Sequence, residues 1–240
     1  FLTGCSSQFV YNNMDWMIHW YLDDYIDLNK AQKKVFDQNF NIWHAWHRKE
    51  ELSKYANHIK EIKSMVEDNS VTEESMAAHF DQLRGHWISL RSRIAPDLAD
   101  MAQSLTDKQV QHLFEHLEEQ NAENDEEMDE FSEKSEEERL EVRAEDIGEN
   151  LSEWIGKLTN SQKQLVRQYS PQFRSNGREW LKYRRVVQEH AKNLFVNRET
   201  DPEFKSKLLA IMSEPESYRH QSLIENSEHN GEIYTAMVVE

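Results

Sequence analysis

Leu28-Asn29-Lys30-Ala31-Gln32 opens the stretch that decides the fold, and Phe36, Phe40, Trp43 and Trp46 carry it on in steps of four and three residues. That spacing is the helical period, so the segment from Asn29 reads as an amphipathic helix. Asn29 stands at the N-cap, where its side chain accepts from the first-turn amides, and Gln32 three residues on reaches back to the cap amide. Leu28 before the cap is placed to staple onto an apolar residue of the first turns. The same signal returns as Leu105-Thr106-Asp107-Lys108-Gln109 and Leu158-Thr159-Asn160-Ser161-Gln162, and more loosely as Val71-Thr72-Glu73-Glu74-Ser75. Each box stabilises its helix by about 1 kcal/mol.

Helical periodicity extends along nearly the whole chain, and strand-like alternation is almost absent. A first helix is expected over Asn13 to Tyr25, with Met14, Met17, Ile18, Tyr21, Leu22 and Tyr25 inward. The helix from Asn29 continues through Tyr55, Ile59 and Val66 with a bend near Leu52. Thr72 starts another, and Pro96 is expected to kink or end it. Gly and Pro are missing from Glu115 to Ile147, so the helix from Thr106 is expected to run on as one long, acidic and partly frayed rod. Gly156 lies near the start at Thr159. Pro171 is expected to open a helix bearing Phe173, Trp180, Val187 and Phe195. Thr200-Asp201-Pro202 and Ser213-Glu214-Pro215 mark two further starts. The fold class is all-α, an elongated bundle of roughly eight to nine helices by this count of starts.

Composition narrows the function. The 240 residues carry 28 basic and 45 acidic side chains, a net charge of −17, with 6 Gly, 4 Pro and 1 Cys. Such acidity opposes nucleic-acid binding and an electrostatic grip on anionic lipid. One Cys excludes a disulfide framework within the chain and any zinc site built on several thiolates.

Leu2-Thr3-Gly4-Cys5 resembles the lipobox of bacterial lipoprotein signal peptides. That resemblance implies residues 1–4 as a signal-peptide remnant, Cys5 as the acylated residue, and 5–12 as a lipidated tether to a single all-helical domain, 13–240. Ser6, in place of Asp, implies sorting to the outer membrane, on its periplasmic face. Several acyl chains anchor stably where one is marginal. The Leu-Thr-x-x-Gln copies are similar to those of the Spy/CpxP group of periplasmic helical proteins, a match of about five residues each time. A fuller resemblance is to uncharacterised proteobacterial lipoproteins, all-helical and of unassigned function. It is carried by Tyr11-Asn12-Asn13-Met14-Asp15-Trp16, Trp20 to Leu28, Trp43-His44-Ala45-Trp46-His47-Arg48 and Trp154-Ile155-Gly156-Lys157-Leu158-Thr159. It implies the address and the helical fold, and no activity.

Three constellations bear chemistry. His112-Leu113-Phe114-Glu115-His116 matches the motif of inverted zinc peptidases: imidazoles at i and i+4 share a metal and the Glu acts as base. The plainer reading is a pair of border histidines that snorkel or cap a helix, and no metal ligand set is assigned. Trp43, His44, Trp46 and His47 set four rings into five residues, with His47 and Glu51 as an i,i+4 pair. With Trp16 and Trp20 they form a candidate partner groove, against the plainer reading of a core seam. Asp15, Asp23, Asp24 and Asp27 lie among aromatic residues and are expected to face water or pair with bases. Lys182, Arg184 and Arg185 form a basic spot near Trp180 and Tyr183, suited to the acidic segment or to an anionic partner.

The expectation is a non-enzymatic envelope lipoprotein that binds, scaffolds or chaperones periplasmic or outer-membrane proteins. It is anchored to outer-membrane lipid through Cys5, takes no cofactor or nucleic acid, and is a candidate homodimer. The alternatives are a zinc hydrolase using His112, Glu115 and His116, and a periplasmic metal or stress sensor.

Overall fold

The computed structural model describes residues 11 and 13–240, and among them every regular element is helical. Cys5 and the rest of the tether apart from Tyr11 lie outside the described residues. The α-helices are α1 (Met14–Tyr25), α2 (Lys30–Trp46), α3 (Leu52–Glu67), α4 (Glu73–Ala102), α5 (Asp107–Glu133), α6 (Glu136–Ile155), α7 (Asn160–Tyr169), α8 (Gly177–Val196), α9 (Phe204–Ser213) and α10 (Gln221–Val239). A π-helical turn, His47–Glu51, joins α2 to α3 without a break, and 3₁₀ turns occupy Ser170–Gln172 and Pro215–Tyr218.

The caps explain most starts. Asn29 accepts from the Ala31 and Gln32 amides, and Gln32 Oε1 accepts from the Asn29 amide at 2.9 Å. Thr106 and Gln109 repeat this, as do Thr159 and Gln162. At Thr72 the Ser75 hydroxyl takes the place of the amide.

Three elements differ from the sequence expectation. The acidic run from Thr106 is divided. The long acidic helix α5 stops at Glu133, and α6 begins behind a complete capping box of Ser135 and Glu138. Three glutamates fill the first turn of α6, where the helix dipole favours negative charge. Pro96 does not end its helix, for α4 runs 30 residues through it. Ala95 and Ala99, at 2% and 0% exposure, are buried on either side, so packing outweighs the lost backbone donor. Pro171 opens a 3₁₀ turn rather than a long helix. Arg143 donates to the carbonyls of Ser170 and Phe173, which holds that turn closed, and helix resumes only at Gly177.

The chain forms two compact units, each drawn from three stretches of sequence. Unit 1 comprises Phe1–Asn57, Gly85–Gln120 and Val187–Pro215; unit 2 comprises His58–Arg84, Asn121–Val186 and Glu216–Glu240. The core of unit 1 is built on Leu28, Phe36, Phe40, Trp43, Ala99, Leu105, Phe114, Phe195, Phe204 and Leu208. Trp43 and Phe36 meet edge to face, and so do Phe195 and Phe204. The core of unit 2 centres on Ala144, Leu158, Val166 and Met237. Leu28, Leu105 and Leu158, the residues before three of the caps, are all buried, as the staple requires. Gly156 closes α6 with φ +80°, a left-handed conformation in which a side chain would be strained.

In unit 1 the first two boxes face each other. Gln32 Nε2 donates to the Ser104 carbonyl (2.8 Å) and to Gln109 Oε1 (3.1 Å), while Gln109 Nε2 donates to the Asp27 carbonyl (2.7 Å) and to Gln32 Oε1 (2.7 Å). Ser104 precedes Leu105 and Asp27 precedes Leu28, so the two motifs are joined by a local two-fold exchange. Each side-chain amide has its donors and acceptor filled, which is the condition for keeping an amide inside an apolar core.

Candidate functional site

The aromatic and histidine-rich part of unit 1 holds most of the residues the sequence singles out, and the structure distributes them over three places. The first is α1. Its inner side, Met14, Ile18 and Leu22, and Ile26 at its C-cap pack on the core at four-residue steps, yet no residue of α1 is fully buried. Its outer side carries Trp16 at 72% exposure and Trp20 at 69%, with Met17 and Tyr21 beside them. Asp15, Asp23 and Asp24 are exposed along the same helix, and Asp23 pairs with Lys33 at 3.0 Å.

The second place is the core. Trp43 is 6% exposed and its indole N–H donates to Asp97 Oδ2 at 2.7 Å. Its ring is therefore unavailable to a partner, and it does not share a face with Trp16 and Trp20.

The third place is the π turn. An extra residue per turn shifts the register there, and π turns often mark functional positions. Phe40 stacks on His44, whose other neighbour is Tyr11 at 4.7 Å between ring centroids. Tyr11 bonds His47 Nδ1 through its hydroxyl at 2.9 Å. His47 then meets the edge of Tyr55, and Tyr55 meets His86 at 4.6 Å. Trp46 is half-buried at the edge of this ladder. Glu51 ends the π turn with its side chain 1% exposed. Its Oε1 accepts from Lys54 Nζ (2.6 Å) and Ser89 Oγ (3.3 Å), and Oε2 meets no hydrogen-bond partner among the described residues. Burial lowers the His47 pKa, the Glu51 charge opposes that shift, and His44 adds to it, so His47 favours the neutral form. Burial and the Glu51 charge push the Tyr55 hydroxyl up. His47 and Glu51, an i,i+4 pair in sequence, thus bond to other residues rather than to each other. Tyr11, Tyr55, His86 and Ser89 complete the cluster from three other segments. The one available signal was the mixture of His, Glu and Tyr about the bend near Leu52.

His112 and His116 both contact the C-terminal end of α1. His112 Nδ1 lies 3.0 Å from the Tyr25 carbonyl, and a carbonyl only accepts, so His112 donates and closes the end of α1. His116 stands edge-on against the Tyr25 ring, 4.8 Å away, and Glu115 accepts from Gln111. Among the described residues no three His, Cys, Asp or Glu side chains are placed to share a metal ion. Of the basic spot, Arg185 meets the acidic segment in unit 2, bonding Asp125 at 2.6 Å, while Lys182 pairs with Glu179; Arg178, outside the spot, bonds Asp129 at 2.5 Å.

Beneath α1 lies an apolar cleft of about 460 Å³, walled by residues from α1, α2, α4, α5, α8 and α9 of unit 1.

A model of a family of unknown function matches residues 24–222. The chain belongs to DUF6279. The DUF6279 match begins inside α1 and ends at the start of α10, so it takes in the π turn and most of each unit and of the cleft lining. Trp16 and Trp20 precede it. No curated protein and no solved structure matches the chain.

Proposed function

We propose that this DUF6279 protein works by binding rather than catalysis, as an envelope lipoprotein held to the outer membrane through acylated Cys5 and presenting the outer face of α1 to a periplasmic or outer-membrane protein. The observation that carries the reading is the pair Trp16 and Trp20, at 72% and 69% exposure one helical turn apart. Water-exposed tryptophans concentrated on one helix face are costly to hydrate and are enriched at protein interfaces. Met17 and Tyr21 extend the face, and exposed aspartates supply the polar rim that such interfaces have. The Leu2-Thr3-Gly4-Cys5 pattern supports the anchor, and no described helix is long and apolar enough to cross a membrane.

The test is a photo-crosslinking residue placed in cells at position 16 or 20, with exposed Val196 as the control position. A discrete adduct from 16 and 20 that is absent from 196 supports the reading. Equal adducts at all three positions, or none, refute it. Sedimentation of the pure chain separates a second copy from a foreign partner. If the partner is another copy, Trp16→Ala/Trp20→Ala converts a dimer to a monomer. Cys5→Ser in the full precursor should release the protein from the membrane fraction or block its processing.

A further inference from the structure

We propose that the apolar cleft of unit 1 binds a single acyl chain, leaving the chain's polar end at the mouth. The cleft measures about 460 Å³, within the range of small-molecule sites. Leu98, Met101, Leu113, Leu117, Ile211 and Met212 are typical of its walls, and no Asp, Glu, Lys or Arg reaches it, although 30% of the chain is charged. Its polar lining is already committed. Gln32 spends its amide on Ser104, Gln109 and its own cap, and the Ser104 hydroxyl donates to the Met101 carbonyl at 2.8 Å. Gln188 is engaged as well. Water in such a cleft finds few partners, and an apolar occupant that displaces it is favoured.

The lining offers little to a charged or hydrogen-bonding ligand, because it holds no charged side chain and Gln32 and Ser104 already bond within the protein. Size selects within the apolar class. At ~30 Å³ for a water- or methylene-sized group, the cleft takes about fifteen such groups, the length of one long acyl chain and half of what two would need. The neighbouring cleft has Asp107, Glu115, Glu118, Lys192 and Arg198 in its lining and does not share this character.

The experiment uses the Cys5→Ser full-length chain, extracted with organic solvent, so that no acyl group on Cys5 competes. Palmitic acid and lysophosphatidylethanolamine are titrated calorimetrically as single-chain probes, and dipalmitoyl phosphatidylcholine vesicles serve as the two-chain arm. Saturation at one chain per protein with a negative heat-capacity change is expected, without capture by vesicles. Binding by only one single-chain probe still supports the site and names the source, free fatty acid or lysolipid. Ala191→Phe, which fills the cleft, should weaken binding at least tenfold while the far-ultraviolet spectrum stays helical. Ala102→Leu is the smaller filler if Phe prevents folding. No saturation with either single-chain probe overturns the proposal. So does saturation that both folded fillers leave unchanged, or capture by vesicles alone. The α1 partner reading survives any of these results, since its crosslinks depend on the opposite face of the helix.

Discussion

Gln109→Ala tests how much a buried capping box differs from an exposed one. The substitution removes two donors, to the Asp27 carbonyl and Gln32 Oε1, both at 2.7 Å. It also removes the acceptor used by Gln32 Nε2 and by the Thr106 amide. Gln32 is 6% exposed, so water cannot replace what it loses, whereas the cap amide at Thr106 can be hydrated. With about 1 kcal/mol for the net hydrogen bonding and 1–3 kcal/mol for stranding a buried amide, the expected loss is about 3 kcal/mol. Gln162→Ala breaks the same motif in unit 2, where Gln162 is exposed and serves only its own cap. There the expected loss is about 0.5–1 kcal/mol. Urea denaturation followed by far-ultraviolet circular dichroism measures both. Gln32→Leu combined with Gln109→Leu should cost less than the sum of the single changes, with a coupling of at least about 1 kcal/mol, because no half-paired amide remains inside. Equal losses for Gln109→Ala and Gln162→Ala, or strict additivity in the double-mutant cycle, would refute the reasoning.

Two further outcomes are expected. Glu179 accepts from His220, Lys182 and Ser222, which together hold its carboxyl at about 2 against an ordinary 4.5. A depressed carboxylate stabilises above the unfolded pKa and loses that contribution as pH falls toward the folded one, so Glu179→Gln should flatten the acid limb between pH 4.5 and 2. Urea midpoints at pH 6 and pH 3 check this, and an unchanged difference between them would count against the ion cluster. Purified protein should contain no stoichiometric zinc, since His112 is spent on the end of α1 and His116 lies against Tyr25. Elemental analysis showing one tightly held zinc per chain, lost in His112→Ala, would restore the hydrolase reading.

The helical starts were legible because a cap is a local device. Its donor and acceptor lie three residues apart, and the apolar residue that staples it is adjacent. Asn29, Thr72, Thr106 and Thr159 therefore announced their helices from sequence. Ser135-Glu136-Glu137-Glu138 is the same device and was equally present, but it lay hidden within a run of acids that resembled uninterrupted helix. The candidate site was legible only in its residue types. Trp16, Trp20, Trp43, His44, Trp46 and His47 all sit in the aromatic half of unit 1, but helical period alone assigns them to stripes without saying which stripe meets a neighbour. Trp43 went to the core and Asp97, and Trp16 and Trp20 went to the surface.

By itself the sequence determined an all-helical chain, the register of its caps, the dispersal of its charge and the presence of one Cys. These follow from interactions within a turn or two and from composition. Tertiary structure decided the rest, because each outcome depends on groups distant along the chain. Gln32 finds Gln109 77 residues away, so two ordinary caps become one buried amide exchange. Burial of Ala95 and Ala99 carries α4 through Pro96. Glu51 is sequestered where the π turn sets it near Ser89 and Tyr55. The cleft beneath α1 exists only where six helices fail to fill the space between them, and no periodicity in a single helix records the volume left by the others.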